Sequence, residues 1–241
     1  MIIVPYLQKI CKQYGILIFV TPEAFVNHTV RSAPLVISFL FTEGIIYLIF
    51  LALDLSGHGE QTLCIKYVST LLCLLTALQN GNRQISCAIA ITIAADWFLL
   101  VRGEHFLFGV FLFLISQFLY ANHLHRLGST YAPLLRIGLF SVLFPLELSL
   151  GLLTPLNLLC VIYFSFLVSN AILAWALPPA KPLAIGLTMF ICCDICVGLV
   201  NTVSLPSCIY RFVFAGMWFF YLPAQIFITL STLQRRISYE Y

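Results

Sequence analysis

Charge is what this chain has least of. Lys, Arg, Asp and Glu make up 9% of its 241 residues, where a soluble globular domain carries about 25%. So few charges cannot cover a water-facing surface, which excludes a soluble globular protein. No polar stretch approaches domain length, so no separate soluble domain is expected. The net charge of +3 is too small to make nucleic acid a partner. Near the N-terminus, a weak apolar stretch at Tyr14–Val20 is followed by Pro22, Glu23 and Arg31 with no clear cleavage site, so no signal peptide is expected. The chain has no H-E-x-x-H, no His triad at metal spacing and no G-x-S-x-G. No metal, no cofactor and no lipase-type serine are therefore expected.

What fills the chain instead is hydrophobic sequence. Apolar residues make up 61%, and 21 Phe contribute to an aromatic share of 15%. That composition predicts an all-α, polytopic transmembrane helix bundle, because hydrocarbon leaves helices as one of the few ways to satisfy the backbone. A bilayer core of about 30 Å needs roughly 20 apolar residues at 1.5 Å rise. Segments at about 35–53, 64–79, 84–102, 105–124, 131–153, 155–177, 182–201 and 209–232 qualify, giving eight helices with seven as the main alternative. LSGHGEQ, NGNR, RGEH, HRLGST, LTP, LPPAKP and VSLPS separate them with turn-forming residues. Residues 1–34 are mixed and read as an N-terminal interfacial segment, 35–232 as the transmembrane domain and 233–241 as a cytoplasmic tail.

With the N-terminus cytoplasmic, that side holds Lys9, Lys12, Arg31, Arg83, Arg126, Arg136, Lys181, Arg235 and Arg236. The opposite side holds only Lys66, Arg102 and Arg211. A positive-inside bias of nine to three places both termini in the cytoplasm and favours an even number of spans.

Against this apolar background, two aspartates stand out. Asp96 lies in SCAIAITIAADWFLLV and Asp194 in PLAIGLTMFICCDICVGLV. A carboxylate at such depth costs several kcal/mol unless it faces a polar cavity or a partner, so intramembrane acids mark function. Each occupies the thirteenth position of its span, in helices that run in the same direction. Both should lie about 18 Å from the cytoplasmic edge, where they can converge on one cavity or coincide by chance. Other polar side chains fall inside the spans: Gln117 with Tyr120, Tyr163 with Asn170, and Tyr221 with Gln225, each pair spaced to share a helix face. Pro223 should kink the last helix. Two further acids, Glu43 and Glu147, either line the cavity or pair with Lys66 or a terminal Arg. His28, His58, His105, His123 and His125 fall in loops or at span ends and suit surface or headgroup-level roles. Among the nine cysteines, Cys193 and Cys196 form a C-x-x-C without a second pair, read as small packing residues. An ion or solute pathway would use the same acids, so a transporter remains open.

These blocks resemble the YhhN-like lysoplasmalogenases. Ala95-Asp96, Phe106 with Gly109, and Gln117 with Tyr120 resemble that family's paired third and fourth helices. Gly186, Phe190, Cys193 and Asp194 resemble its Gly-x-x-x-Phe-x-x-Ser-Asp helix, and Tyr221, Ala224 and Gln225 its closing helix. Lys66 falls where the family has Lys-Pro, and the similarity covers residues 64–232. The chain departs from the pattern at Ala95 (usually Gly), Gln117 (usually His), Cys193 (usually Ser) and Tyr67 (usually Pro). Gln117 can hydrogen-bond but cannot titrate near neutral pH.

The resemblance implies an integral-membrane hydrolase that cleaves the vinyl-ether bond of a lysoplasmalogen to a fatty aldehyde and glycerophospho-ethanolamine or -choline. Its substrate would be a lysophospholipid reached from the surrounding membrane lipids. The membrane would be the plasma membrane in a bacterium, or the endoplasmic reticulum or another internal membrane in a eukaryote. Acid-labile vinyl-ether chemistry calls for one carboxylic acid and one carboxylate, which the resemblance assigns to Asp96 and Asp194. Gln117, Tyr120, Tyr163, Asn170, Tyr221, Gln225, Glu43, Glu147 and Lys66 would then bind substrate, with the headgroup near Arg102, Glu104 and His105 or near a cytoplasmic loop. The competing reading is a non-enzymatic lipid or small-molecule binder, or a proton-coupled transporter; a receptor-like bundle is a third.

Overall fold

The computed structural model describes residues 22–56, 59–129 and 132–233. Most of the expected interfacial segment, with Lys9 and Lys12, lies outside the described residues, as do His58 and nearly all of the tail with Arg235 and Arg236.

Among the described residues the chain forms eight α-helices: α1 (Pro22–Leu55), α2 (Gly59–Gln79), α3 (Arg83–Asp96), α4 (Phe106–Arg126), α5 (Ala132–Ser149), α6 (Pro155–Ala176), α7 (Lys181–Thr202) and α8 (Ser207–Leu230). Each coincides with a segment read from sequence. Seven, with α3 counted together with its helical continuation to Arg102, are long and apolar enough to cross a membrane, which makes the chain a multi-pass integral membrane protein. The remaining helix, α5, has 18 residues, and Pro145 lies inside it. The helix at the N-terminal end begins at Pro22, ahead of the boundary expected at residue 35, and α8 runs through Pro223 without interruption.

Local chemistry sets several of the boundaries. Asn82 caps α3, its side-chain oxygen accepting from the Ile85 N–H. Thr154 caps α6 by accepting from the Asn157 N–H, with Pro155 in the first turn where its missing N–H costs nothing. Past Asp96 the α3 backbone changes pitch: Trp97–Arg102 is π-helical and ends on Gly103 in the left-handed conformation. His105 also adopts positive φ (61°), an uncommon state for a non-glycine residue, just before α4 starts.

The described residues form two units, one up to Thr42 and the other from Glu43 on. In the second, α2 packs on α3, α3 on α4, α4 on α6, α6 on α7 and α7 on α8, and α8 returns to α2. Six helices thus close a ring, α3 and α8 also touch, and α5 lies against α6. At one end of the ring the side chains are tightly packed: Ala77, Ile89, Leu124, Leu167, Leu187 and Ile228 are all buried. At the other end large apolar side chains such as Trp97, Phe106, Ile195, Leu199, Ile209 and Phe212 are exposed. Exposed apolar residues on this scale are unusual in water and ordinary where hydrocarbon is the solvent.

Glycine lets α7 and α8 approach closely. A Cβ on Gly186 of α7 would lie 2.9 Å from the Ala224 carbonyl oxygen and 2.9 Å from the Ile228 nitrogen of α8. Only hydrogen at that position lets two backbones come so near.

Candidate active site

Helical period turns both aspartates inward. The buried face of α3 runs Ile85, Ala88, Ile89, Thr92, Ala95 and Asp96, and that of α7 runs Leu183, Gly186, Leu187, Phe190 and Cys193, with Asp194 beside it. Asp96 is buried and Asp194 partly exposed. Both sit where the packed end of the ring gives way to the open end.

Each aspartate accepts a hydrogen bond from a tyrosine on another helix. The Tyr163 hydroxyl of α6 donates to Asp194 Oδ2 at 2.5 Å, and the Tyr221 hydroxyl of α8 donates to Asp96 Oδ2. Aromatic rings join the two pairs. Phe113 of α4 lies 5.8 Å from the Tyr163 ring and 5.8 Å from Phe190, which lies 5.6 Å from the Tyr221 ring. The two carboxylates are close enough to act on each other electrostatically, and the Cys193 thiol lies within electrostatic reach of both. Cys193 therefore puts a thiol, where the family pattern has Ser, next to the pair. Cys193 and Cys196 are both free.

The other residues singled out from sequence divide into groups. Tyr120 is buried with its hydroxyl beside Thr92, one turn before Asp96. Gln117 and Asn170 form a separate knot: the Asn170 amide donates to the Gln117 backbone carbonyl at 2.9 Å and to its side-chain oxygen at 3.1 Å. Arg136 of α5 donates to Asn170 Oδ1 at 3.2 Å and to the Ser169 hydroxyl at 3.3 Å. Asn170 is seven residues, roughly 10 Å, along α6 from Tyr163, on the tightly packed side. Gln225 is fully buried, and neither atom of its amide has a partner among the described residues.

Glu43 is buried and accepts from the Ser69 hydroxyl at 2.6 Å and the Cys73 thiol at 3.6 Å, rather than pairing with Lys66. Glu147 Oε2 is buried with no partner among the described residues, and Cys160 of α6 lies within electrostatic reach of both Glu147 and Asp194. Lys66 is buried, its ammonium 3.4 Å from the centre of the Trp218 ring. Arg102, Glu104 and His105 are exposed at the α3–α4 turn. His123 is buried rather than at the surface, because it falls one turn from Tyr120 on the inward face of α4.

Four contributors escaped the sequence reading. Phe113 and Trp218 look like any other aromatic in an apolar span. Tyr67 read only as a departure from Lys-Pro. Its hydroxyl is buried without a partner, its ring meets Trp97 edge-on at 6.3 Å, and it lies within electrostatic reach of Asp96. The available signal was its position beside Lys66. The fourth is the π-helical turn that begins directly after Asp96; such turns concentrate at functional sites. Gly109 of α4 accommodates it, since a Cβ there would lie 2.6 Å from the Leu99 side chain.

Comparison with curated proteins and with solved structures gives no match. A protein-family comparison matches residues 61–232, the span that contains α2 to α8 almost entire and every residue of the aspartate–tyrosine site. The chain belongs to the YhhN family, the lysoplasmalogenase-like family of membrane proteins.

Proposed function

We propose that this protein is a membrane hydrolase that cleaves the vinyl-ether bond of a lysoplasmalogen, with Asp96 and Asp194 as its acid–base pair. Family membership points to a hydrolase-like enzyme. The observation that carries the finer reading is the pairing: two carboxylates within electrostatic reach of each other, each held by a tyrosine hydroxyl.

The reaction runs in balanced steps. One aspartic acid gives its proton to the β-carbon of the vinyl ether, leaving an oxocarbenium ion. The other, as carboxylate, faces that positive charge and takes a proton from the attacking water. The hemiacetal so formed collapses to the fatty aldehyde and the glycerol hydroxyl, returning the pair to its starting protonation. Water is the only co-reactant. Tyr163 and Tyr221 are positioning residues that fix the carboxylates through charge-assisted hydrogen bonds. The exposed apolar end of the ring, reaching from Trp97 to Phe212, suits access for an alkenyl chain from the lipid. Gln117 takes no part in proton transfer: its amide oxygen is engaged by Asn170.

Aldehyde release by the purified protein in detergent tests this. Wild type should release aldehyde from 1-alkenyl-glycerophospholipids and leave ester lysolipids intact. Asp96→Asn and Asp194→Asn should each lose about 10²–10⁴-fold in kcat, the usual worth of a positioned acid or base. The pH–rate profile should be bell-shaped, because one carboxyl must be protonated and the other ionised, and the two apparent values belong to the pair. An active wild type whose rate both variants keep would refute the mechanism. An inert wild type that instead takes up solute with protons in proteoliposomes would make the chain a transporter.

A further inference from the structure

Two polar groups next to each other in the chain lack a hydrogen-bond partner among the described residues. Lys66 is 6% exposed, and its ammonium lies 3.4 Å from the centre of the Trp218 ring and 5.3 Å from that of Phe50. No carboxylate among the described residues is within ion-pair distance of it; Asp54 acts on it only from farther away. One residue on, the Tyr67 hydroxyl is buried and unpaired. Both residues border the Asp96 half of the site. Trp218, under the ammonium, stands edge-on to Tyr221 at 5.8 Å, and Tyr221 donates to Asp96. Tyr67, whose ring meets Trp97 edge-on, lies within electrostatic reach of Asp96.

A cation withdrawn from water without an anion is costly, and a cation–π contact offsets only part of that cost. An ammonium held over a tryptophan with no carboxylate at ion-pair distance is therefore incomplete, and an anion completes it; the Tyr67 hydroxyl is the next unpaired polar group on α2. The substrate class proposed above carries one: its phosphate is joined to the vinyl-ether oxygen through the three-carbon glycerol backbone. A vinyl ether seated at Asp96 can extend that phosphate along Tyr221 and Trp218 toward Lys66.

We propose that Lys66 and Tyr67 form the phosphate subsite of this protein, Lys66 binding the phosphate oxygens of a lysophospholipid and Tyr67 donating to its glycerol portion. The subsite makes phosphate a requirement for good substrates and moves the headgroup away from Arg102, Glu104 and His105, which are exposed at the α3–α4 turn. The assignment rests on the hydrolase reading for its substrate but on the Lys66–Trp218 contact and the unpaired Tyr67 hydroxyl for its ligand.

The test compares 1-alkenyl-glycerophosphoethanolamine with 1-alkenylglycerol, which lacks the phosphate, on full-length protein in detergent. The readout is the ratio of kcat/KM for the two. Wild type should favour the phosphorylated substrate. Lys66→Met keeps the stem packed on Trp218 and should cut that ratio about 10- to 100-fold, chiefly through KM, as loss of a charged hydrogen bond does. Lys66→Arg should restore most of it. Tyr67→Phe, which keeps the ring against Trp97, should raise KM about 3- to 10-fold. Equal losses on both substrates in Lys66→Met would overturn the phosphate assignment.

A second arm works if nothing is hydrolysed. Equilibrium binding of the non-hydrolysable 1-alkyl-glycerophosphoethanolamine should weaken about 10-fold or more in Lys66→Met, and binding of 1-alkylglycerol should not. Failure of turnover with this binding difference intact sinks the hydrolase reading alone. No difference in binding sinks the subsite. Should inorganic phosphate bind in a Lys66-dependent way while the lysolipid does not, the site takes a free anion and the headgroup assignment is wrong.

Discussion

At the scale of single residues, the two aspartates are equivalent in partner and unequal in surroundings. Each has one tyrosine, contributed by a different helix, and Asp96 is buried while Asp194 is partly exposed. Removing a hydroxyl leaves a carboxylate less firmly placed without changing the packing. Tyr163→Phe and Tyr221→Phe should therefore each lower kcat about 10-fold or more, the range for a hydrogen bond to a charged group, with KM changed little. Steady-state aldehyde release by each variant checks this, and an unchanged kcat in both would remove the tyrosines from the mechanism. Gln117 behaves differently. Its oxygen satisfies Asn170, which also receives Arg136, so Gln117→Ala leaves a buried amide donor short of a partner. That variant should lose about 1 kcal/mol of stability, seen as a lower Tm, and keep kcat within roughly 3-fold of wild type.

At the scale of elements, the helices were legible because hydrocarbon demands long apolar runs and the breaks between them carry Gly, Pro and polar residues. NGNR and LTP show this: Asn82 and Thr154 are both side-chain caps. The aspartates were legible for the same reason, since each is the only carboxylate in its helix. The change of α3 to π pitch after Asp96 was not legible, because WFLLVR has nothing to distinguish it from an α-helical run. Nor was the meeting of Tyr67, Phe113 and Trp218 with the aspartates. Apolar residues surround nearly every span, so periodicity says little about which face meets which helix.

Glycines were the partial exception. Gly186 and Gly109 belonged to recognisable patterns, and the structure gives the reason in contacts to Ala224 and Leu99. The close approach at Gly186 predicts that Gly186→Val separates α7 from α8 and costs roughly 1–3 kcal/mol, as overpacking does. Gly138→Ala in α5 is the control, with nothing within 4 Å of its Cβ. It should be neutral or stabilising by up to about 1 kcal/mol. Thermal unfolding of the two variants in one detergent decides it, and equal Tm values would deny Gly186 its packing role.

At the scale of the molecule, orientation decides which leaflet supplies substrate. The helix alternation puts the connections at residues 80–82, 127–129 and 177–180 at the tightly packed end and those at 103–105, 150–154 and 203–206 at the open end. Arg83, Arg126, Arg136 and Lys181 all lie toward the packed end, which the positive-inside rule places in the cytoplasm. Lys66, Arg102 and Arg211 lie toward the open end, with the Lys66–Tyr67 subsite and the exposed apolar side chains. Substrate would then reach the aspartates from the outer leaflet, or the lumenal one in an internal membrane. Reporter fusions at Tyr241 and near Gly59 should report opposite sides of the membrane, with Tyr241 cytoplasmic. The same side for both would mean that one of the eight helices, α5 being the one that falls outside the seven apolar spans, does not cross. A Tyr241 fusion on the non-cytoplasmic side, opposite to Gly59, would invert the whole arrangement and bring the lysolipid from the cytoplasmic leaflet. Accessibility of single cysteines to a membrane-impermeant maleimide, placed at Glu104 and at Asn80 in a background without other reactive thiols, separates these cases: the expected result is labelling at Glu104 from outside the cell and at Asn80 only after permeabilisation.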